Sequence, residues 1–154
     1  VPVPSVLFVC LGNICRSPTA EGLLRHHARA AGLDDRCRID SAGIGGWHIG
    51  DPPDRRAIAA AARHGVDLSG LRGRKVSPAD FTAFDLILGM DRQNVADLKA
   101  LAPAGATAKT SLFLAEALGR NADVPDPYYG DRADFNAVFE LCDRAARALL
   151  TRLA

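Results

Sequence analysis

The chain has 154 residues, 48% hydrophobic and 24% charged, and 19 Lys and Arg against 18 Asp and Glu leave a formal net charge of +1. That length fits one domain over residues 1–154, since roughly 100–200 residues per domain is usual, and the charged fraction leaves no room for a long disordered tail. The near-zero charge and 6% aromatic content argue against nucleic acid as a partner, which asks for a basic stripe or stacking platforms.

Val1 to Cys15 carries no charge, but Pro2, Pro4, Gly12 and Asn13 interrupt it and no basic segment precedes it. Neither a signal peptide nor a membrane span is expected from it, and the missing initiator Met points to a trimmed start. Ser5 to Cys10 (SVLFVC) is a short apolar run, as for a strand buried on both faces. Ser17-Pro18 reads as N-cap plus first helical residue. Ala20, Leu23, Leu24, His27, Ala28 and Ala31 then recur at helical spacing until Gly32 ends the helix. Arg36 to Ser41 alternates as a second strand. A loop rich in Gly and Pro (Ala42 to Pro53) holds the only Trp, Trp47, and a helix from about Pro53 to His64 stops at Gly65. Phe84 to Met90 is the next buried strand, and Asp91 caps a helix carrying Val95, Leu98 and Leu101 that Pro103 ends. Ala106 to Leu112 predicts a fourth strand, Gly119 to Gly130 a long loop, and the stripe Phe135, Val138, Phe139, Cys142, Ala145, Ala146, Leu149, Leu150 and Leu153 the last helix. This alternation implies an α/β fold in three layers: about four parallel strands in flavodoxin-like order, with helices on both faces.

Open sheets of this kind bind ligands beyond the carboxyl ends of their strands. The first strand here ends in Cys10-Leu11-Gly12-Asn13-Ile14-Cys15-Arg16-Ser17, directly before a helix. Gly12 and Asn13 tolerate left-handed backbone, so the turn can present successive N–H groups to an anion such as phosphate or sulfate, beside a helix N-terminus. Arg16 adds a planar fork for two oxygens of a tetrahedral anion. The same donors favour a thiolate at Cys10, which makes it a nucleophile. The other cysteines, Cys15, Cys37 and Cys142, form no CxxC pair, and His26, His27, His48 and His64 do not bracket them at zinc spacing. No metal or cofactor is expected, and the thiols fit a reducing cytoplasm.

VCLGNICRSPTAE resembles the signature loop of the low-molecular-weight protein tyrosine phosphatases. The likeness continues through Ser41-Ala42-Gly43, Trp47, Arg63-His64-Gly65, Met90-Asp91 with Asn94, and Asp126-Pro127-Tyr128-Tyr129. It implies hydrolysis of phosphotyrosine in protein substrates through a phosphocysteine on Cys10, with Arg16 and the loop of Leu11, Gly12, Asn13, Ile14, Cys15 and Ser17 holding the phosphate. Asp126 is then the general acid, with Asp123 as the fallback. Ser17 would hydrogen-bond the Cys10 sulfur, and Asn13 and Ser41 would brace the loop. Trp47, Tyr128 and Tyr129 would wall the substrate slot, with Leu11 and Ile14. Cys15 is expected either to guard Cys10 through a reversible disulfide or to fill space under the loop; Cys37 and Cys142 read as core. Many relatives carry a His after the second helix where this chain has Leu68 to Arg74, and Leu71 cannot hydrogen-bond, so bracing from there is in question. Two other classes compete. An arsenate reductase would need relay cysteines, and a phosphotyrosine-reading module would need no acid.

Overall fold

The computed structural model describes residues 3–154; Val1 and Pro2, with the expectation of a trimmed start, lie outside them. The apolar run after Ser5 forms β1 (Val6–Cys10), and all five of its residues are buried. Side chains alternate along a strand, so Val6, Phe8 and Cys10 enter a larger core on one face while Leu7 and Val9 enter a smaller one on the other. β1 pairs in parallel with β2 (Ile39–Gly43) and with β3 (Leu86–Gly89), and β4 (Lys109–Leu112) pairs with β3. The order β2-β1-β3-β4 is the flavodoxin-like arrangement read from the sequence.

The larger core is roofed by α1 (Arg16–Ala30), α2 (Arg55–Ala62), α5 (Phe113–Leu118) and α6 (Arg132–Leu153). The smaller one is closed by α3 (Asp80–Ala83) and α4 (Arg92–Leu101), through Phe81 and Leu98. The stripe on α6 from Phe135 to Leu150 is buried as predicted. At roughly 1.5–3 kcal/mol per large apolar side chain, its burial outweighs any propensity term in holding that helix on the sheet. Asp91 caps α4 through a reciprocal capping box with Asn94. Gly32 and Gly65 take φ of 72° and 76° where the first two helices stop.

Several boundaries differ from the sequence reading. β2 runs Ile39–Gly43 rather than Arg36 to Ser41, because Arg36 to Arg38 turn onto the sheet before pairing begins; Cys37 is nonetheless buried. α2 starts at Arg55, since Asp54 accepts the Arg56 N–H and caps it. The short helices α3 and α5 were not foreseen: four and six residues are too few to show a period. Ser17 is not the cap of α1. That helix begins at Arg16, and the Ser17 hydroxyl is engaged elsewhere. His27, half-buried on α1, places its Nε2 2.6 Å from Asp143 on α6. Among the described residues no helix is long and apolar enough to cross a membrane.

Candidate active site

The segment between β1 and α1 wraps closely over the end of β2. Backbone N–H groups of Ile44, Gly45 and Asp54 donate to the carbonyls of Cys10, Leu11 and Ile14 at 3.0, 2.9 and 2.8 Å. In a trans peptide the N–H points opposite to the C=O, so carbonyls drawn outward turn their peptide N–H groups towards the cavity side. A side chain at Gly43 would meet Gly45 O at 2.9 Å and Leu11 O at 3.1 Å, which is why the close approach requires glycine there. α1 starts with no side-chain cap at Cys15 and no acidic residue in its first turn. Its positive end therefore faces the loop without a neutralising carboxylate of its own.

Asn13 supplies the left-handed turn, with φ of 58°, the one positive value outside glycine among the described residues; Gly12 does not take it. The Asn13 amide is fully used. Nδ2 donates to Ser17 Oγ at 2.8 Å and to Ser41 Oγ at 2.9 Å, and Oδ1 accepts the Arg74 N–H at 3.0 Å. Ser17 Oγ, having accepted from Asn13, keeps its own hydrogen for the Cys10 sulfur 3.0 Å away. Ser41 Oγ likewise passes its hydrogen to Glu21 Oε1 at 2.7 Å, and Arg25 pairs with the other Glu21 oxygen at 2.8 Å. Burial pushes the Glu21 carboxyl up, against the pull of the Ser41 hydroxyl and Arg25. Leu71 takes no part and packs half-buried on the core; the brace that a histidine there would give comes instead from the Arg74 backbone. The Arg74 side chain is fixed by Asp80 at 2.9 Å and Asp40 at 3.0 Å.

Arg16 is buried, and its Nη1 donates to Asp91 Oδ2 at 2.8 Å and to the Val124 carbonyl at 3.0 Å. Nη2 stands 3.6 Å from Asp126 Oδ2. Burial opposes the charge, but Cys10, Asp91 and Asp126 outweigh it and hold the guanidinium above its ordinary range. Asp126 also accepts the Tyr128 N–H at 3.1 Å. Asp123, the fallback acid, is turned away: its Oδ1 accepts from the Arg92 N–H and Nε at 3.1 and 3.2 Å.

Cys10, Arg16 and Asp126 line one cavity of about 230 Å³. Trp47, His48, Tyr128 and Tyr129 stand around it, with Leu11, Gly12, Ile14 and Cys15. Trp47 and Tyr129 are 70% and 96% exposed, so both form rim rather than core. All four cysteines are free thiols, and Cys37 and Cys142 sit in the larger core. Burial, then Asp54, Cys10 and Asp126, push the Cys15 thiol up, and burial alone dominates at Cys142, raised to about 12. His64 stacks on Phe139 with centroids 4.7 Å apart, a packing role. Sequence reasoning did not find Glu21, Arg74 or the Asp91–Arg16 pair. Asp91 was legible as a helix cap, but nothing local in the sequence joins it to a residue 75 positions away.

The family profile described as low molecular weight phosphotyrosine protein phosphatase matches residues 5–154. The chain is 42% identical over 150 residues to the low molecular weight protein-tyrosine-phosphatase YfkJ of Bacillus subtilis, covering 97% of this chain and 95% of the relative. The crystal structure of YfkJ superposes with a TM-score of 0.89 at 40% identity, over 99% of this chain and 95% of that one. The human low molecular weight phosphotyrosine protein phosphatase is 40% identical over 150 residues, or 96% of this chain and 94% of that protein. Vibrio vulnificus Wzb, solved in complex with benzylphosphonate, superposes with a TM-score of 0.85 at 33% identity, over 98% and 99% of the two chains.

Proposed function

We infer that this chain, which belongs to the low molecular weight phosphotyrosine protein phosphatase family and is a phosphotyrosine hydrolase, works through a phosphocysteine intermediate on Cys10. The observation that carries this reading is the convergence of Cys10, Arg16 and Asp126 on one cavity. In the first step Cys10 Sγ forms a bond to phosphorus as the bond to the aryl oxygen breaks, and Asp126 gives its proton to the departing phenolate. In the second, water attacks phosphorus, its proton passes to Asp126, the S–P bond breaks and inorganic phosphate leaves. Arg16 and the N–H groups of residues 11–17 hold the equatorial oxygens, where charge gathers in the transition state. The Ser17 hydroxyl, 3.0 Å from the sulfur, stabilises Cys10 as a leaving group in the second step. Acid–base help of the kind assigned to Asp126 contributes typically about 10²–10⁴-fold.

Trp47, Tyr128 and Tyr129 give the slot aromatic walls suited to a phenyl ring, and the benzylphosphonate bound by Wzb has that shape. Phosphotyrosine-containing proteins are the substrates, and phosphate or sulfate is the simple anion expected over residues 10–17. The catalytic unit is a single domain working in a reducing cytoplasm without metal. Burial holds the Cys15 thiol above its ordinary range, which disfavours the thiolate that a redox guard would use. An arsenate-reductase reading lacks relay thiols, as Cys37 and Cys142 are core residues. The test is hydrolysis of an aryl phosphate in the presence of chelator, abolished by Cys10→Ser. Activity that depends on added metal, or that survives the substitution, overturns the mechanism.

A further inference from the structure

The acid segment, residues 125–130, buries Pro127 but makes few hydrogen bonds to the rest of the chain. Val124 is anchored by its N–H to the Met90 carbonyl at 2.8 Å, and α6 begins again at Arg132. Beside the stretch between them lies a cavity of about 190 Å³, lined by Pro125, Asp126 and Pro127 and by Asp134, Ala137, Val138 and Leu141 of α6. Tyr129 stands in solvent, and the Gly130 N–H turns back to Pro127 within the segment itself.

One side chain closes the gap. Arg56 Nη2 donates to the Tyr128 carbonyl at 3.0 Å and Nη1 to the Gly130 carbonyl at 3.5 Å. Among the described residues these are the hydrogen bonds that join residues 125–130 to the rest of the chain; the Asp126–Arg16 pair at 3.6 Å is a salt bridge. The guanidinium lies over the Phe135 ring, 4.4 Å from its centroid, and 5.6 Å from that of Tyr128. Its other edge grips Asp54 through Nε and Nη2, both at 3.0 Å, and the Asp54 N–H is bonded to the Ile14 carbonyl of the phosphate loop at 2.8 Å. Tyr128 is thus held twice, by Asp126 at its N–H and by Arg56 at its carbonyl.

We propose that Arg56 is a positioning residue for the general acid, tying the segment that carries Asp126 to the loop that carries Cys10 through Asp54. The proposal rests on the reading of Asp126 as the acid. Asp54 balances the guanidinium charge, so Arg56 acts on the reaction through geometry rather than through its field. Only a planar fork reaches the Asp54 carboxylate and two carbonyls together; an ammonium at the end of a lysine does not. Arg56 matters most where the leaving group needs a proton and little where it leaves unaided.

The experiment is kcat/KM for a series of aryl phosphates, from phenyl phosphate to dinitrophenyl phosphate, with wild type, Arg56→Met, Arg56→Lys, Asp126→Ala and the Arg56→Met/Asp126→Ala double variant. Misplacing a catalytic group by about 1 Å can cost up to about 100-fold. Arg56→Met is expected to lose about tenfold on phenyl phosphate and less than about twofold on dinitrophenyl phosphate, steepening the dependence on leaving-group basicity, with Arg56→Lys in between. In the double variant the Arg56 effect should vanish, since both changes remove the same contribution. A loss uniform across the series, or one fully additive with Asp126→Ala, overturns the proposal. If Asp126→Ala itself leaves the dependence unchanged, the acid assignment fails and takes the proposal with it. A steep dependence in Asp126→Ala beside a wild-type one in Arg56→Met defeats the positioning role alone. Should Arg56→Met fail to fold, Arg56→Lys carries the same comparison.

Discussion

Replacing Asn13 separates two contributions that the phosphate loop combines: a left-handed backbone and a saturated amide. Asn13→Gly keeps the backbone at ease and removes the side-chain bonds to Ser17, Ser41 and the Arg74 N–H. Asn13→Ala removes the same bonds but keeps a β-carbon at φ of 58°, without the polar side chain that eases a left-handed backbone, at a cost of about 1–2 kcal/mol for an ordinary residue. The two serine hydroxyls can rotate to other partners, so their loss is modest, about 0.5–1.5 kcal/mol each. The Arg74 N–H has no such freedom, and an unpaired buried donor costs about 1–3 kcal/mol. Asn13→Gly should therefore lose about 2–6 kcal/mol, less what water recovers, and Asn13→Ala about 1–2 kcal/mol more. For a chain of this size each kcal/mol moves Tm by about 2–4 °C. Calorimetry should place the glycine variant about 4–24 °C below wild type and the alanine variant several degrees lower still. In both, phosphatase activity should fall with the Ser17–Cys10 alignment. Equal melting temperatures for the two variants would refute the backbone argument. A drop under about 2 °C in Asn13→Gly would refute the hydrogen-bond argument.

Asp126→Ala should slow aryl phosphates with poor leaving groups by about 10²–10⁴-fold and activated ones far less, measured as kcat/KM, while Asp123→Ala, whose carboxylate serves Arg92, leaves both near wild type. Loss at Asp123 in place of Asp126 would reverse the two roles. Glu21, pushed above its ordinary value of 4.5 by burial, binds its proton more readily folded than unfolded. Its contribution to stability is therefore full below pH 4.5 and is lost as pH rises through the raised value. Denaturant unfolding should show wild type favoured over Glu21→Gln most strongly on the acid side, with the difference shrinking towards neutral pH; a difference that grows with pH would contradict the burial argument.

What the sequence could reveal was whatever depends on near neighbours. An apolar run closing on Cys-X5-Arg before a helix is local chemistry, and so are the Asp91 cap, the glycines that end α1 and α2, and an aspartate between prolines beside two tyrosines. The site residues that escaped notice act across distance. Glu21 reads as an ordinary surface position of a helix until β2 brings Ser41 against it. Arg74 lies in a featureless stretch and contributes a backbone N–H, for which no residue type gives a sign. Ser17 was misread only as the helix cap, because Ser-Pro is a good helix start; its hydroxyl goes to the Cys10 sulfur, as the resemblance implied. Leu71 looked like a missing brace only while the brace was assumed to be a side chain.

Eight consecutive residues hold the Cys10 thiol, its hydroxyl partner and the Arg16 guanidinium, yet that octet cannot shape itself. Asn13 is bound from 28 and 61 positions downstream, and Arg16 from 75 and 108. Contacts of such span form late, after the loops between them have been closed. Asp91, Arg74 and Val124, which complete the surroundings of the loop, all lie well downstream of it in the chain. The geometry around Cys10 is thus a property of the whole fold rather than of the motif, and a fragment holding residues 10–17 alone lacks the partners that shape it.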